Sequence, residues 1–271
     1  MRATLGPMRH LSPHAAEAAA HVLLNARACV QAIDGLPEQL RPETTLDGYA
    51  IQAAFARVAG WQVAGWKIGC TAEDQRRYLK VDEPFFGRVY VPTLVDSPAE
   101  LPAARLHWCK VEGEFAFRMA RDLPIRAEPW TAADVADHIA SLHGSIEIVS
   151  PRYADWLAVG APSIIADNAA NGALVLGAGR TDWQAVDLRQ ATVRMLVDGV
   201  EIGAGTAGMA YGSPLDALTW LVNRLCDQRY AGGDGGVALR AGQVVSTGTC
   251  TGIHALQAGQ TARTEYGDLE P

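Results

Sequence analysis

The chain has 271 residues, 49% of them hydrophobic and 20% charged, with a net charge of −7. That composition belongs to an ordinary soluble globular protein, long enough for one large domain or a core domain with a smaller attachment. The negative balance excludes a nucleic-acid binder built on a basic stripe and gives no hold on anionic membranes. No apolar run approaches the about 20 residues of a spanning helix.

Residues 14–35 are alanine-rich, carry Leu23, Leu24 and Ile33, and predict a helix. Glu17 and His21 interrupt the apolar run "AAEAAAHVLL", which makes a poor signal-peptide core. "RPETTLDGYAIQAAFARVAG" predicts a second helix, with Thr44 and Asp47 as a capping box and Gly60 as its stop. These two helices form an N-terminal segment, residues 1–60, ahead of a catalytic domain over 61–271.

"WQVAGWKIG" alternates between glycines and predicts a strand, followed by a short helix in "TAEDQRRYLK" capped by Thr71. "FFGRVYVPTLV" and "KVEGEFAFRMA" are further strands. "TAADVADHIASLH" predicts a helix capped by Thr131 and leads into the strand "SIEIV". "ATVRMLVDGVEIGAG" is a hairpin turning at Asp198-Gly199, "SPLDALTWLVNRL" a helix capped by Ser213, and "RAGQVVSTGTCTGI" a closing strand and glycine-rich turn. Many short strands with few helices between them point to an α+β fold. "AGGDGG", residues 231–236, reads as a flexible loop without the Gly-Lys-Ser/Thr of a phosphate-binding loop.

The chemistry lies in a few charged residues. There is no G-x-S-x-G, no H-E-x-x-H and no Cys/His cluster; the five cysteines are scattered, form no C-x-x-C, and fit packing roles in a reducing cytoplasm. His107 and His143 read as surface or packing residues. In "KVEGEFAF", Glu112 and Glu114 share one face of a strand about 7 Å apart, which suits either the solvated face of an edge strand or a cation between them. Glu147 sits in the buried-looking "SIEIV" and either pairs with Arg152 or joins those two as a third oxygen ligand for a hard cation such as Mg²⁺ or Mn²⁺. Lys67 lies between Gly65 and Gly69 on its own face: a surface lysine, or an ammonium that a ligand can approach. "STGTCTG", residues 246–252, offers backbone N–H groups and the Thr249 and Thr251 hydroxyls to a carboxylate, or is a tight turn.

"GWKIGCT", "VDEPFFG", "KVEGEFAF", "IEIV" with Arg152, "ADNAANG", "WLVNRL" and "AGQVVSTGT" occur in that order. Together they resemble the 2-keto-4-pentenoate hydratase and 4-oxalocrotonate decarboxylase family of the fumarylacetoacetate hydrolase superfamily, from about residue 15 to the C-terminus. The resemblance implies a mixed β-roll with N-terminal and peripheral helices. It also implies a divalent Mg²⁺ or Mn²⁺ held by Glu112, Glu114 and Glu147, and an active-site Lys67. Substrate contacts fall at Gly248, Thr249 and Asn168, in a cytoplasmic homo-oligomer. The implied reaction is addition of water to a small 2-hydroxy-2,4-dienoate. Decarboxylation of a 2-oxo-3-enedioate on the same site is the alternative, and a non-catalytic small-acid binder is a third reading.

Two positions depart from the family pattern. The acidic residue common after the proline of "EP-x-F/Y-G" is Phe85, and the one common before Arg152 is replaced by Ser150 and Pro151. If Phe85 removes a proton-transfer group, Glu73 and Asp74 are the nearby substitutes. No residue in the sequence marks a pocket for a second carboxylate.

Overall fold

The computed structural model describes residues 11–230, 236–267 and 269; most of the glycine-rich 231–236 stretch falls outside them. Helix α1 (Pro13–Cys29) starts at Ser12 and stops at Val30, whose φ of 51° is left-handed. The predicted helix over 14–35 therefore ends early. Helix α2 (Thr45–Ala59) has the expected capping box at Thr44 and Asp47 and the left-handed Gly60 at its end. The two pack through Ala16, Leu23, Ile51 and Phe55, and Tyr90 and Tyr153 complete that core.

Next come β1 (Val63–Gly69), α3 (Glu73–Leu79), β2 (Phe85–Tyr90) and β3 (Leu94–Asp96). Two expectations change here. Ala72, not Thr71, sits at the cap position of α3. "FFGRVYVPTLV" is two strands, because a turn over Val91–Thr93 holds Pro92, which has no N–H for a ladder. Strand β4 (Lys110–Met119) follows, then β5 (Leu123–Pro124) and α4 (Ala132–Ala136), capped by Thr131 as predicted. Helix α4 is a single short turn, since β6 (Ile139–Val149) takes over the residues "IASLH".

Helix α5 (Ala161–Ala166), β7 (Asn171–Arg180), β8 (Thr192–Val197), β9 (Val200–Thr206) and α6 (Pro214–Cys226) come next. The chain closes with β10 (Val237–Leu239), β11 (Val244–Thr249), β12 (His254–Ala255) and β13 (Ala262–Tyr266). The β8–β9 hairpin turns at Asp198 and Gly199, both at positive φ as a primed turn requires.

The main sheet runs β2-β1-β11-β4-β6-β7-β3, with β12 added alongside β4. It is mixed: β1–β11 and β3–β7 are parallel and the other pairs antiparallel. A β13-β8-β9 sheet packs against it, and β10 pairs with β5. The architecture is α+β. Strand β4 is a central strand flanked by β11 and β6, not a solvated edge.

Two polar clamps fix the frame. The Tyr266 hydroxyl lies 2.7 Å from the Glu114 carbonyl and 2.9 Å from that of Ser145, and accepts the Ser145 N–H at 2.9 Å. The ring approaches so closely that a Cβ on Gly144 would lie 2.3 Å from it. Arg152 is buried in an ion pair with Asp167 and donates to the carbonyls of Ser150 at 2.7 Å and Asn171 at 2.9 Å. Arg27 of α1 reaches the Asn171 and Gly172 carbonyls at 3.0 and 2.7 Å, tying that helix to β7.

Arg152→Met leaves Asp167 charged and buried without its cation. It should lower unfolding free energy by about 3–5 kcal/mol in denaturant titration; a loss under about 1 kcal/mol would mean that the pair does not hold this corner.

Candidate functional site

Four neighbouring strands carry the candidate residues to one place. Lys67 on β1 is in register with Ser246 on β11, Thr249 with Glu114 on β4, and Glu112 on β4 lies directly opposite Glu147 on β6. Like charges facing each other across an antiparallel pair repel. Here they are also desolvated: Glu114 and Glu147 are 0% exposed and Lys67 is 3% exposed.

The oxygens are divided in a definite way. One oxygen of Glu114 is anchored by the Ser246 hydroxyl and by the Gly248 N–H at 3.1 Å, while its other oxygen, Oε1, has no partner. Glu147 Oε1 accepts from Lys67 Nζ at 3.1 Å and Asn171 Nδ2 at 3.0 Å, and its Oε2 is likewise bare. Glu112 lines the open side of the cluster. One oxygen from each of the three carboxylates lies within 4.8 Å of the others. Buried bare carboxylate oxygens are expensive unless a cation meets them. Three hard oxygen donors so spaced fit a divalent cation with positions left for substrate and water.

The electrostatics agree with that reading. Burial, with Glu147 opposite, pushes Glu112 up to about 7, and burial with Glu147 and Glu112 raises Glu114 well above the usual carboxylate range. Burial by itself would lower Lys67, but Glu147, Glu112 and Glu114 around it raise its ammonium above the ordinary value. One ammonium against three carboxylates leaves a deficit of positive charge.

The Arg152 partner that the sequence allowed for Glu147 is ruled out by geometry, since that guanidinium is taken up by Asp167. Nor is Lys67 a surface lysine. A Cβ on Gly69 would lie 3.2 Å from Lys67 Nζ and 3.2 Å from the Phe85 ring, so the glycine leaves room between them.

The cluster opens into a cavity of about 510 Å³. Thr249 lines it, and its hydroxyl donates to the Gly252 carbonyl at 3.1 Å. Gly248 is one step back, at φ 110° against the Thr71 side chain, and its N–H is spent on Glu114. Asn168 is not in the cavity wall. Its amide is occupied by the backbone of Arg88, accepting the N–H and donating to the carbonyl, both at 2.7 Å. That clamp holds Asn168, Ala169 and Ala170 at φ of 53°, 52° and 61°, three left-handed residues in a row, and places the two alanines against the cavity. The substrate contact expected of Asn168 thus becomes a positioning one, because both ends of its amide are committed.

Of the two substitutes for Phe85, Asp74 faces the cavity and Glu73 does not. Glu73 is exposed and pairs with Arg77 at 2.8 Å. Phe85 itself is buried in the cavity wall beside Lys67. Ser246 and Asn171 were not singled out from the sequence, although "STGTCTG" opens at Ser246 and "ADNAANG" contains Asn171.

Residues 67–270 match the fumarylacetoacetate (FAA) hydrolase C-terminal family. The chain is 33% identical over 216 residues to a 2-keto-4-pentenoate hydratase of Burkholderia vietnamiensis, covering 79% of each protein. It is 31% identical over 242 residues to a 2-hydroxyhexa-2,4-dienoate hydratase of Comamonas testosteroni, covering 88% of this chain and 86% of that protein. In fold it is similar to a 4-oxalocrotonate decarboxylase from Pseudomonas putida G7 complexed with calcium and acetate. The TM-score is 0.83, with 95% of each chain covered and 23% identity.

In metal-stripped protein, Glu112 binds protons more tightly folded than unfolded, so stability should fall as pH rises from about 4.5 to about 7. Added Mg²⁺, which needs the ionised carboxylates, should raise the melting temperature more at about pH 8 than at about pH 5.5. Glu112→Ala, Glu114→Ala and Glu147→Ala should each weaken Mg²⁺ binding in calorimetry, and unchanged affinity in all three would remove the metal assignment.

Proposed function

The chain belongs to the fumarylacetoacetate hydrolase superfamily, in its 2-keto-4-pentenoate hydratase and 4-oxalocrotonate decarboxylase family, and we propose that it is a divalent-metal-dependent hydro-lyase adding water to a 2-hydroxy-2,4-dienoate. The product is a 4-hydroxy-2-oxo acid, as in meta-cleavage breakdown of aromatic compounds. The observation that carries the reading is the pair of bare, buried oxygens on Glu114 and Glu147, beside Lys67, in a chain of this family. A scaffold or simple binder has no reason to bury like charges. The catalytic side chains fall within 61–271, which we take as the catalytic unit, with 1–60 as a helical attachment.

Glu112, Glu114 and Glu147 would hold Mg²⁺ or Mn²⁺, which supplies Lewis acidity to the carboxylate and C2 oxygen of the substrate. The chain's own groups do the rest. Lys67, kept charged by the carboxylates around it and oriented by Glu147, places a fixed positive charge by the C2 oxygen, where negative charge grows as the C2 hydroxyl loses its proton and again as water adds at C4. The C2 hydroxyl gives up its proton as another is delivered to C5, and the resulting C3–C4 double bond is conjugated with the C2 carbonyl. Water then adds with its oxygen at C4 and a proton at C3.

Asp74 is the group we assign to take the proton from that water, because it is a carboxylate in the cavity wall on α3 and Phe85 cannot do so. Thr249 flanks the substrate head beside Glu114. Phe85 favours the runner-up, decarboxylation, to the extent that an apolar wall shields a carbanion-like intermediate from water.

Lys67→Met should fold in the presence of Mg²⁺ and lose about 10²–10³-fold in kcat, the range seen when a transition-state charge stabiliser is removed. Asp74→Asn should lower kcat by about 10²-fold or more with little change in KM. The function is tested by offering 2-hydroxypenta-2,4-dienoate and 2-oxohex-3-enedioate separately to the Mg²⁺-loaded enzyme. The expected outcome is 4-hydroxy-2-oxopentanoate from the first. Release of CO₂ from the second, with no water added to the first, overturns the hydratase reading.

A further inference from the structure

Asn171 is the least secured member of the carboxylate cluster. It is 0% exposed, and among the described residues its side chain makes one hydrogen bond, from Nδ2 to Glu147 Oε1 at 3.0 Å, while Oδ1 has no partner. Turned over, that amide would set Oδ1 against a carboxylate oxygen, and a buried attraction would become a repulsion. No second side-chain bond fixes its direction. Asn171 also follows directly on Asn168, Ala169 and Ala170, so the chain enters β7 from three left-handed residues in a row. The backbone has to aim the amide.

The group that holds this backbone comes from the N-terminal helix. Arg27, in the last turn of α1, donates from Nη1 to the Asn171 carbonyl at 3.0 Å and from Nη2 to the Gly172 carbonyl at 2.7 Å. A planar fork on two successive carbonyls fixes the peptide between them in rotation as well as in position. Arg152 adds a bond to the Asn171 carbonyl at 2.9 Å, from a guanidinium already committed to Asp167. The Trp61 ring centre lies 5.5 Å from the Arg27 guanidinium carbon and helps to keep the fork in place.

We propose that Arg27 is a positioning residue of the cation site. By clamping the Asn171–Gly172 peptide it aims the Asn171 amide at Glu147, so α1 contributes to cation binding although none of its residues belongs to the carboxylate cluster. The inference rests on the reading of Glu112, Glu114 and Glu147 as cation ligands. It goes beyond that reading by making the N-terminal segment part of the site, not an attachment to it.

The test reads Mg²⁺ affinity by calorimetry and does not depend on turnover. Loss of a partner behind a metal ligand costs about 10–100-fold in affinity, so Asn171→Ala should weaken Mg²⁺ binding by about tenfold or more. Arg27→Met, one bond further out, should weaken it by at least about threefold. In Asn171→Ala protein the same Arg27→Met change should cost less than about twofold more, because its route to Glu147 is gone. Leu23→Ala is the control. Leu23 is buried in the core between α1 and α2, so this variant should melt at a lower temperature yet bind Mg²⁺ as wild type does.

An Arg27→Met protein that loses less than about threefold in Mg²⁺ affinity overturns the proposal. So does a further loss of about twofold or more in the Asn171→Ala background, which would show a route that bypasses Asn171. A Leu23→Ala protein that loses as much as Arg27→Met also overturns it, since any loosening of α1 would then suffice. If Arg27→Met does not fold, Arg27→Lys takes its place under the same thresholds, because one ammonium cannot reproduce a fork on two carbonyls. Wild type that binds no Mg²⁺ overturns the reading of the glutamates and the inference with it. Wild type that binds, with Arg27→Met unaffected, overturns the inference alone.

Discussion

The structure depends on a repulsion. Glu112 and Glu147 face each other across the centre of the sheet, Glu114 sits two residues along from Glu112, and one ammonium, Lys67, stands against all three. Burial removes the water that would screen them, which is why Glu112 and Glu114 hold their protons so tightly in the absence of a metal. A sheet does not hold such a cluster at its centre for stability. A cation between the bare oxygens would turn the repulsion into coordination.

Precision in that cluster comes from the groups packed around its carboxylates. Ser246 and the Gly248 N–H fix one oxygen of Glu114, and Asn171 with Lys67 fixes one of Glu147, so in each carboxylate a single oxygen is left to face outward. Tyr266 ties the Glu114 and Ser145 carbonyls together beneath the site. Asn168 holds three consecutive left-handed residues against the cavity through the backbone of Arg88. Such a conformation is strained for residues with a Cβ, and rigid surroundings have to impose it.

The cavity beyond the cluster is asymmetric. Phe85 closes the side next to Lys67, and α3 presents Asp74 on another wall. Lys110 stands further along β4 among apolar residues. An active site that lacks an acid at one position and keeps one on a neighbouring helix can preserve the same electron sink while moving the proton path, because a sink depends on where charge develops and a proton path only on reach.

Much of this was legible in the residues. The Thr44–Asp47 box, the Ser213 cap and the Asp198-Gly199 hairpin are local devices, set by hydrogen bonds within a few residues, and each stands where the sequence puts it. The alternation in "KVEGEFAF" placed Glu112 and Glu114 on one face. Local pattern failed where neighbours decided. Strand β6 absorbed the end of a predicted helix, and Pro92 divided one predicted strand into two that stand at opposite ends of the sheet's strand order. By itself the sequence determined which residues have the chemistry to hold a cation and which face of a strand they share, since both follow from side-chain type and a two-residue period. Only the tertiary structure decided that Glu147 faces Glu112, that Arg152 belongs to Asp167, that the Asn168 amide is already occupied, and that Asp74 and Lys110 line the same cavity. Those are contacts between segments far apart in the chain, and strand order, which no local spacing encodes, determines them.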